Sequence, residues 1–269
     1  MTTQESAHGA GTPVHLPADR MEAAVFDMDG VVTDTAGVHD RAWASVFDGF
    51  LHARSDRSGV AFRPFSHDDY LEYVDGKPRY DGAASFLSSR DLQLPTGLPS
   101  DPPGYGSVCA LGNLKDREFE RLLDRDGVLL FASTTTLLRE LRARGIRLAV
   151  ISSSRHLGAV LGAAGAGDLF DVSVDGLDAE RLGLPGKPDP AIFLEAARRL
   201  GVTPDRTVVV EDALAGVEAG HRGGFLMVVG IDRSHRHERA RQLRDHGADA
   251  VVGDLAAVDV PTDQAGGQP

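Results

Sequence analysis

The chain has 269 residues, with 28 Lys and Arg against 40 Asp and Glu, a formal charge of −12 and a sequence pI near 5.2. Such a field repels nucleic acid and anionic membranes, so neither is expected as a partner, and an anionic small substrate needs a local cationic pocket. With 42% hydrophobic residues the chain can fill one large or two modest cores; it has no apolar run of membrane-spanning length and no signal-peptide pattern, and the lone Cys109 reads as a small buried hydrophobe in a cytoplasmic protein.

Residues 1–20 are rich in small residues, Gly, Pro and His without periodicity, and are expected to form a disordered lead-in. Ala23-Ala24-Val25-Phe26 is then a short apolar run ending in Asp27-Met28-Asp29-Gly30, the pattern of a buried strand opening into a polar site. If the extended backbone persists through Met28, Asp27 and Asp29 face the same side. Two adjacent carboxylates repel, and persist when a cation neutralises them or one keeps its proton to act as an acid. An acidic turn after a strand is the alternative.

Val38, Ala42, Val46 and Phe50 share helical spacing, which predicts a helix over 38–52. Two helical stretches separated by a turn at 74–82 are expected within 66–90, an irregular Pro/Gly-rich segment at 94–106, and a helix over 114–123. From 127 the pattern changes to alternation. Helices are predicted at 133–144, 155–164, 190–200, 213–219 and 234–246, with strands at 146–151, 170–174, 207–210, 225–229 and 250–252. Asp189 would cap the third of these helices, with Pro190 at its first position. The reading is therefore an α/β doubly wound parallel sheet with an inserted α-helical cap domain: core 21–35 and 127–259, cap 36–126, loose tail 260–269. Ligands bind such sheets at the carboxyl ends of the strands.

Polar residues fall at four such places: Asp27 and Asp29, Ser152-Ser153-Ser154, Lys187 in Gly186-Lys187-Pro188-Asp189-Pro190, and Glu211-Asp212. A hydroxyl at Ser152, the following helix N-terminus and the Lys187 ammonium suit anionic oxygens. The carboxylates of Asp27, Glu211 and Asp212 are the hard ligands that Mg²⁺ prefers. Each piece has an ordinary alternative in caps, a surface lysine or an acidic helix start; their joint placement, in order, favours a phosphate site.

These four motifs resemble those of the haloacid dehalogenase superfamily, Mg²⁺-dependent phosphoryl-transfer enzymes, and the helical insertion after the first motif is similar to that superfamily's mobile cap. The run Phe26-Asp27-Met28-Asp29-Gly30-Val31-Val32-Thr33-Asp34-Thr35-Ala36, with His39 and Arg41-Ala42-Trp43, most resembles its β-phosphoglucomutase-like family. The resemblance implies Asp27 as nucleophile, Asp29 as general acid and base with its carbonyl on the metal, and Ser152 and Lys187 as phosphate-stabilising groups. It also implies that Arg79, in Gly76-Lys77-Pro78-Arg79-Tyr80-Asp81, grips the phosphate not being transferred. Lys77 departs from the apolar residue expected there. His39 and Trp43 match positions near the hinge and sugar site; Lys115 offers a further cap cation, and Ser153, Ser154 and Arg155 contacts to the distal phosphate or hydroxyls. The His235-Arg236-His237 cluster is given no role. Dehalogenation is set aside because halide needs no acid such as Asp29. The implied activity is conversion of β-glucose 1-phosphate to glucose 6-phosphate by a monomer or weak dimer acting on a sugar phosphate, with a phosphatase, and then a non-catalytic sugar-phosphate-binding module, as rivals.

Overall fold

The structure is a computed structural model and describes residues 13–234 and 237–261. Its elements in chain order are β1 (Val14–His15), β2 (Ala23–Asp27), α1 (Ala36–Ser58), α2 (His67–Asp69) running into one π turn (Tyr70–Val74), α3 (Arg79–Ser89), α4 (Val108–Asp126) and α5 (Ala132–Ala143). There follow β3 (Arg147–Ile151), α6 (Leu157–Ala163), β4 (Val172–Val174), α7 (Gly176–Leu182), α8 (Ala191–Leu200), β5 (Thr207–Glu211), α9 (Leu214–Arg222), β6 (Met227–Ile231), α10 (His237–Asp245), β7 (Ala250–Val252) and β8 (Val258–Asp259).

Six strands form one parallel sheet in the order β4-β3-β2-β5-β6-β7. The central strands are buried on both faces, and side chains two apart fall into the same layer. Ala24, Phe26, Leu148, Val150, Val208 and Val210 pack on one face, while Ala23, Val25, Ala149, Ile151 and Val209 pack on the other. The chain runs from β2 to β3 and β4 on one side and then crosses back to β5 on the other, so the crevice of the doubly wound sheet opens where β2 ends in Asp27.

The block between β2 and β3 begins with four helices whose aromatic faces meet in a separate core containing Trp43, Phe47, Phe65, Phe86 and Leu111. Its Asp69 is a buried knot: it accepts from Ser66 in a capping box and from Arg63 and Arg90, each at 2.7 Å. This helical cap lies over the sheet's carboxyl edge, where Ser153 Oγ donates to the Gly76 carbonyl at 2.8 Å.

Several expectations need correction. Residues 13–20 are not a loose lead-in: Val14 and His15 pair in parallel with Val258 and Asp259, and Leu16 and Met21 are buried in the core. Val260, placed in the loose tail, is buried as well. A strand two residues long carries no detectable period, which is why composition misled. Residues 1–12 and 262–269 lie outside the described residues. The helices at 38–52 and 114–123 are both longer, because α1 continues on polar residues until Gly59 (φ 66) stops it, and α4 starts where Ser107 caps the Ala110 N–H. Helix α7 was unforeseen; it has no buried residue and is set by its cap, Asp175, rather than by an apolar face.

Candidate active site

At the end of β2 the Asp27 carboxylate accepts from Lys187 Nζ at 2.5 Å, and Glu211, the last residue of β5, accepts from the same ammonium at 2.7 Å. Asp27, Glu211 and Asp212 have carboxylate oxygens within 4.8 Å of one another. Lys187 thus bonds two of the three carboxylates, and the cation bearing on the third, Asp212, is Arg239. Burial, then the charge of Glu211, pushes the Asp27 carboxyl up against the opposing pull of Lys187; burial and the neighbouring Asp75, Glu211 and Asp27 push Asp212 up too. Burial disfavours the Lys187 charge, but Asp27 and Glu211 outweigh it and keep the ammonium protonated. This surplus of hard, anionic oxygen is the donor chemistry of a divalent-cation site. Gly30 (φ 83) is part of its construction, since a Cβ there would run into the Asp212 carboxylate.

Asp29 lies beside this centre with different partners. Thr35 Oγ1 donates to it at 2.5 Å, Ser152 Oγ at 2.8 Å, and His39 Nε2 faces it at 3.3 Å. Burial alone would raise its pKa, but the histidine and these donors hold it well below the usual carboxylate range. Ser152, expected to meet phosphate, spends its hydroxyl hydrogen on Asp29 and accepts from the Ser154 N–H. Behind His39 the buried Lys115 approaches Nδ1 at 2.5 Å, over the rings of Phe119 and Trp43. A lysine donating to Nδ1 leaves the imidazole proton on Nε2, toward Asp29. Burial lowers the Lys115 pKa to about 8 and, with Lys115 beside it, lowers that of His39.

Cap and core enclose a cavity of about 480 Å³. Of the residues singled out in the sequence, Asp27, Asp29, His39, Trp43, Gly76, Lys77, Arg79, Ser153, Ser154, Arg155, Lys187, Glu211 and Asp212 all line it, and Ser152 is buried behind Asp29. Their partners differ, however. Trp43 stacks on Phe47 as part of the cap core, and Lys77 Nζ bonds the Tyr73 carbonyl and Ser85 hydroxyl of its own domain. Arg155 pairs with Glu180 at 3.5 Å. Arg79 reaches Asp116 at 2.5 Å and Tyr80 Oη at 3.1 Å. Of the 235–237 cluster, His235 and Arg236 lie outside the described residues.

Other groups at the site went unread in the sequence. Asp116 of α4 accepts from His156 Nε2 at 2.8 Å, so the cap meets the core through this pair. Their signal was adjacency: Asp116 follows Lys115, and His156 follows Arg155. Arg239 of α10, buried, reaches Asp75 at 3.4 Å and the Asp212 carbonyl at 3.1 Å, a contact between sequence-distant residues that no local pattern announces.

A doubly wound sheet with a carboxylate–lysine centre at its switch point, roofed by a helical cap, defines an enzyme of the phosphoryl-transfer class built on an aspartate. The haloacid dehalogenase-like hydrolase family matches residues 21–224, and the chain belongs to that family, among its phosphomutases and phosphatases. It is 46% identical over 239 residues, 88% of this chain and 91% of the relative, to the β-phosphoglucomutase of Mycobacterium tuberculosis. A phosphorylated carbohydrates phosphatase of Thermotoga maritima is 28% identical over 86% of this chain and 94% of its own. Among solved structures, Rhodobacter sphaeroides CbbY in complex with phosphate superposes with a TM-score of 0.63 at 27% identity, covering 88% of this chain and 95% of that one.

Proposed function

We propose that this enzyme is a Mg²⁺-dependent β-phosphoglucomutase, converting β-D-glucose 1-phosphate to D-glucose 6-phosphate through bound β-glucose 1,6-bisphosphate, with residues 36–126 as cap and 13–35 with 127–260 as core. The carrying observation is one cavity with a cation on each wall: Lys187 beside Asp27 on the core side, Arg79 on the cap side. A mutase holds two phosphates at once, and a planar guanidinium suits the one at rest. The 46% identity to a protein named β-phosphoglucomutase supports the same substrate.

In this reading Asp27 attacks phosphorus and carries the phosphoryl group, splitting one transfer into two. Asp29, held ionised by Thr35, Ser152 and His39, is in the form that takes a proton from the attacking sugar hydroxyl. In the return step the same carboxyl gives that proton to the departing oxygen. The bisphosphate turns round between the two steps, and Arg79 takes whichever phosphate faces the cap. Asp27, Glu211 and Asp212, with the Asp29 carbonyl, would hold Mg²⁺, whose charge offsets that of the transferring phosphoryl oxygens. Lys187 shares that task and bridges Asp27 and Glu211, offsetting their mutual repulsion. The cap excludes water from the aspartyl phosphate.

The phosphatase reading uses the same core and has the Thermotoga maritima relative in its favour. Phosphorus NMR of the protein with Mg²⁺, β-glucose 1-phosphate and a trace of the bisphosphate separates the two. Glucose 6-phosphate without matching inorganic phosphate supports the mutase; inorganic phosphate as main product overturns it.

A further inference from the structure

The Pro/Gly-rich segment ahead of α4 is fixed in place. The Pro95 and Thr96 carbonyls accept from the Val108 and Cys109 N–H groups at 2.9 and 3.0 Å, using donors that a helix start otherwise leaves unpaired. Ser107 Oγ donates to Asp101 at 2.5 Å while capping α4. Gly97 (φ 73) permits the curl, since a Cβ there would strike Asp101 and Ser107. Pro99, so placed, forms part of the cavity wall.

From this loop a polar chain runs to the cation of the cap. The Asn113 Nδ2 donates to the Pro99 carbonyl at 3.0 Å and to the Asp101 carbonyl at 2.8 Å. Both amide hydrogens are then used, and only Oδ1 remains to face Tyr80. Tyr80 Oη therefore donates to Asn113 Oδ1, at 2.9 Å, and its lone pairs are left to accept from Arg79, at 3.1 Å. The Tyr80 ring lies along Gly112, where a Cβ would collide with it, and carries the Arg79 guanidinium 4.9 Å from its centroid.

We propose that the 94–107 loop, acting through Asn113 and Tyr80, is a specificity element that aims Arg79 at the phosphate on the far end of the substrate. The loop carbonyls set the amide, the amide sets the hydroxyl, and the hydroxyl sets the guanidinium; Asp116 holds its other nitrogen. Asn113 and Tyr80 are positioning residues, and the preference they confer is for a sugar carrying a second anionic group. This rests on the reading of Arg79 as the clamp for the resting phosphate.

The test is steady-state kinetics on β-glucose 1-phosphate for Arg79→Ala, Tyr80→Phe, Asn113→Ala and the Tyr80→Phe/Asn113→Ala pair. Tyr80→Phe keeps the ring and removes only the hydroxyl, so it does not depend on the fold of the loop. Each single positioning variant is expected to raise KM about tenfold with kcat within about twofold, the loss of one hydrogen bond to a charged group. The double variant is expected to be no worse than the larger single one, because the two residues act in one chain. Unchanged KM in Tyr80→Phe and Asn113→Ala beside a raised KM in Arg79→Ala overturns the proposal and leaves the mutase reading standing. Unchanged KM in Arg79→Ala overturns the clamp and the proposal with it. A fall in kcat with unchanged KM marks Asn113 and Tyr80 as merely structural and also overturns it.

Discussion

Lys115→Met exchanges a functional cation for stability, and the exchange can be read from pH. Lys115 is 4% exposed, lodged between His39 and the rings of Trp43 and Phe119. Burial lowers its pKa from the ordinary 10.5 to about 8. Between those values the unfolded chain binds more protons than the folded one, so stability rises with pH through this window. At pH 7 the charged side chain costs the fold about 3 kcal/mol relative to pH above 10.5. Removing it also leaves His39 Nδ1 without its donor, at about 1 kcal/mol, independent of pH. The variant is therefore expected to be more stable than the parent by about 2 kcal/mol at pH 7 and less stable by about 1 kcal/mol at pH 10.5. Urea unfolding of both proteins at the two pH values measures this. A difference between them that does not change with pH would refute the assignment of a strained ammonium to this site. Turnover of the variant is expected to fall, because His39 then loses the group that fixes its proton toward Asp29.

Other substitutions probe the remaining parts of the account. Asp27→Asn is expected to abolish turnover by more than about 10³-fold with an unchanged circular dichroism spectrum, and measurable activity near the parent's would remove Asp27 from the nucleophile's place. Lys187→Met leaves Asp27 and Glu211 buried without their shared cation; denaturation should show a loss of about 3–5 kcal/mol, smaller when Mg²⁺ is present. Asp69→Ala strips Arg90 and the Ser66 cap of their partner and is expected to cost about 3 kcal/mol while the chemistry of a bound substrate is spared, so melting and kcat should separate. Chelation followed by graded return of Mg²⁺ should restore both activity and a higher melting temperature in parallel.

The parallel core was legible because Val208-Val209-Val210 and Leu148-Ala149-Val150-Ile151 are apolar runs rich in β-branched residues with an abrupt polar end. The same abruptness exposed Asp27, Ser152 and Glu211 as a row at one sheet edge. What stayed hidden lacks a local signal. Val14 and His15 form a strand only because Val258 and Asp259 lie beside them, and α7 rests on the Asp175 cap instead of an apolar stripe. Composition marked the 94–107 segment as irregular, but its order comes from backbone carbonyls meeting Asn113 and the first turn of α4, which residue types do not reveal. Likewise Asp116 with His156, and Asp75 with Arg239, join cap to core across long stretches of chain. Ser152 shows the reverse limit: its place was foreseen, whereas its bond to Asp29 came only with the geometry.

The most direct test of the mutase account is the fate of the phosphoryl group once it is on Asp27. Phosphoenzyme formed from glucose 1,6-bisphosphate would be mixed with β-glucose 1-phosphate in water enriched in oxygen-18, and the products separated by mass. The account predicts that nearly all the phosphoryl group passes to the sugar, giving unlabelled bisphosphate and glucose 6-phosphate. Inorganic phosphate carrying oxygen-18 as the main product would contradict it and place the enzyme among the phosphatases of its family.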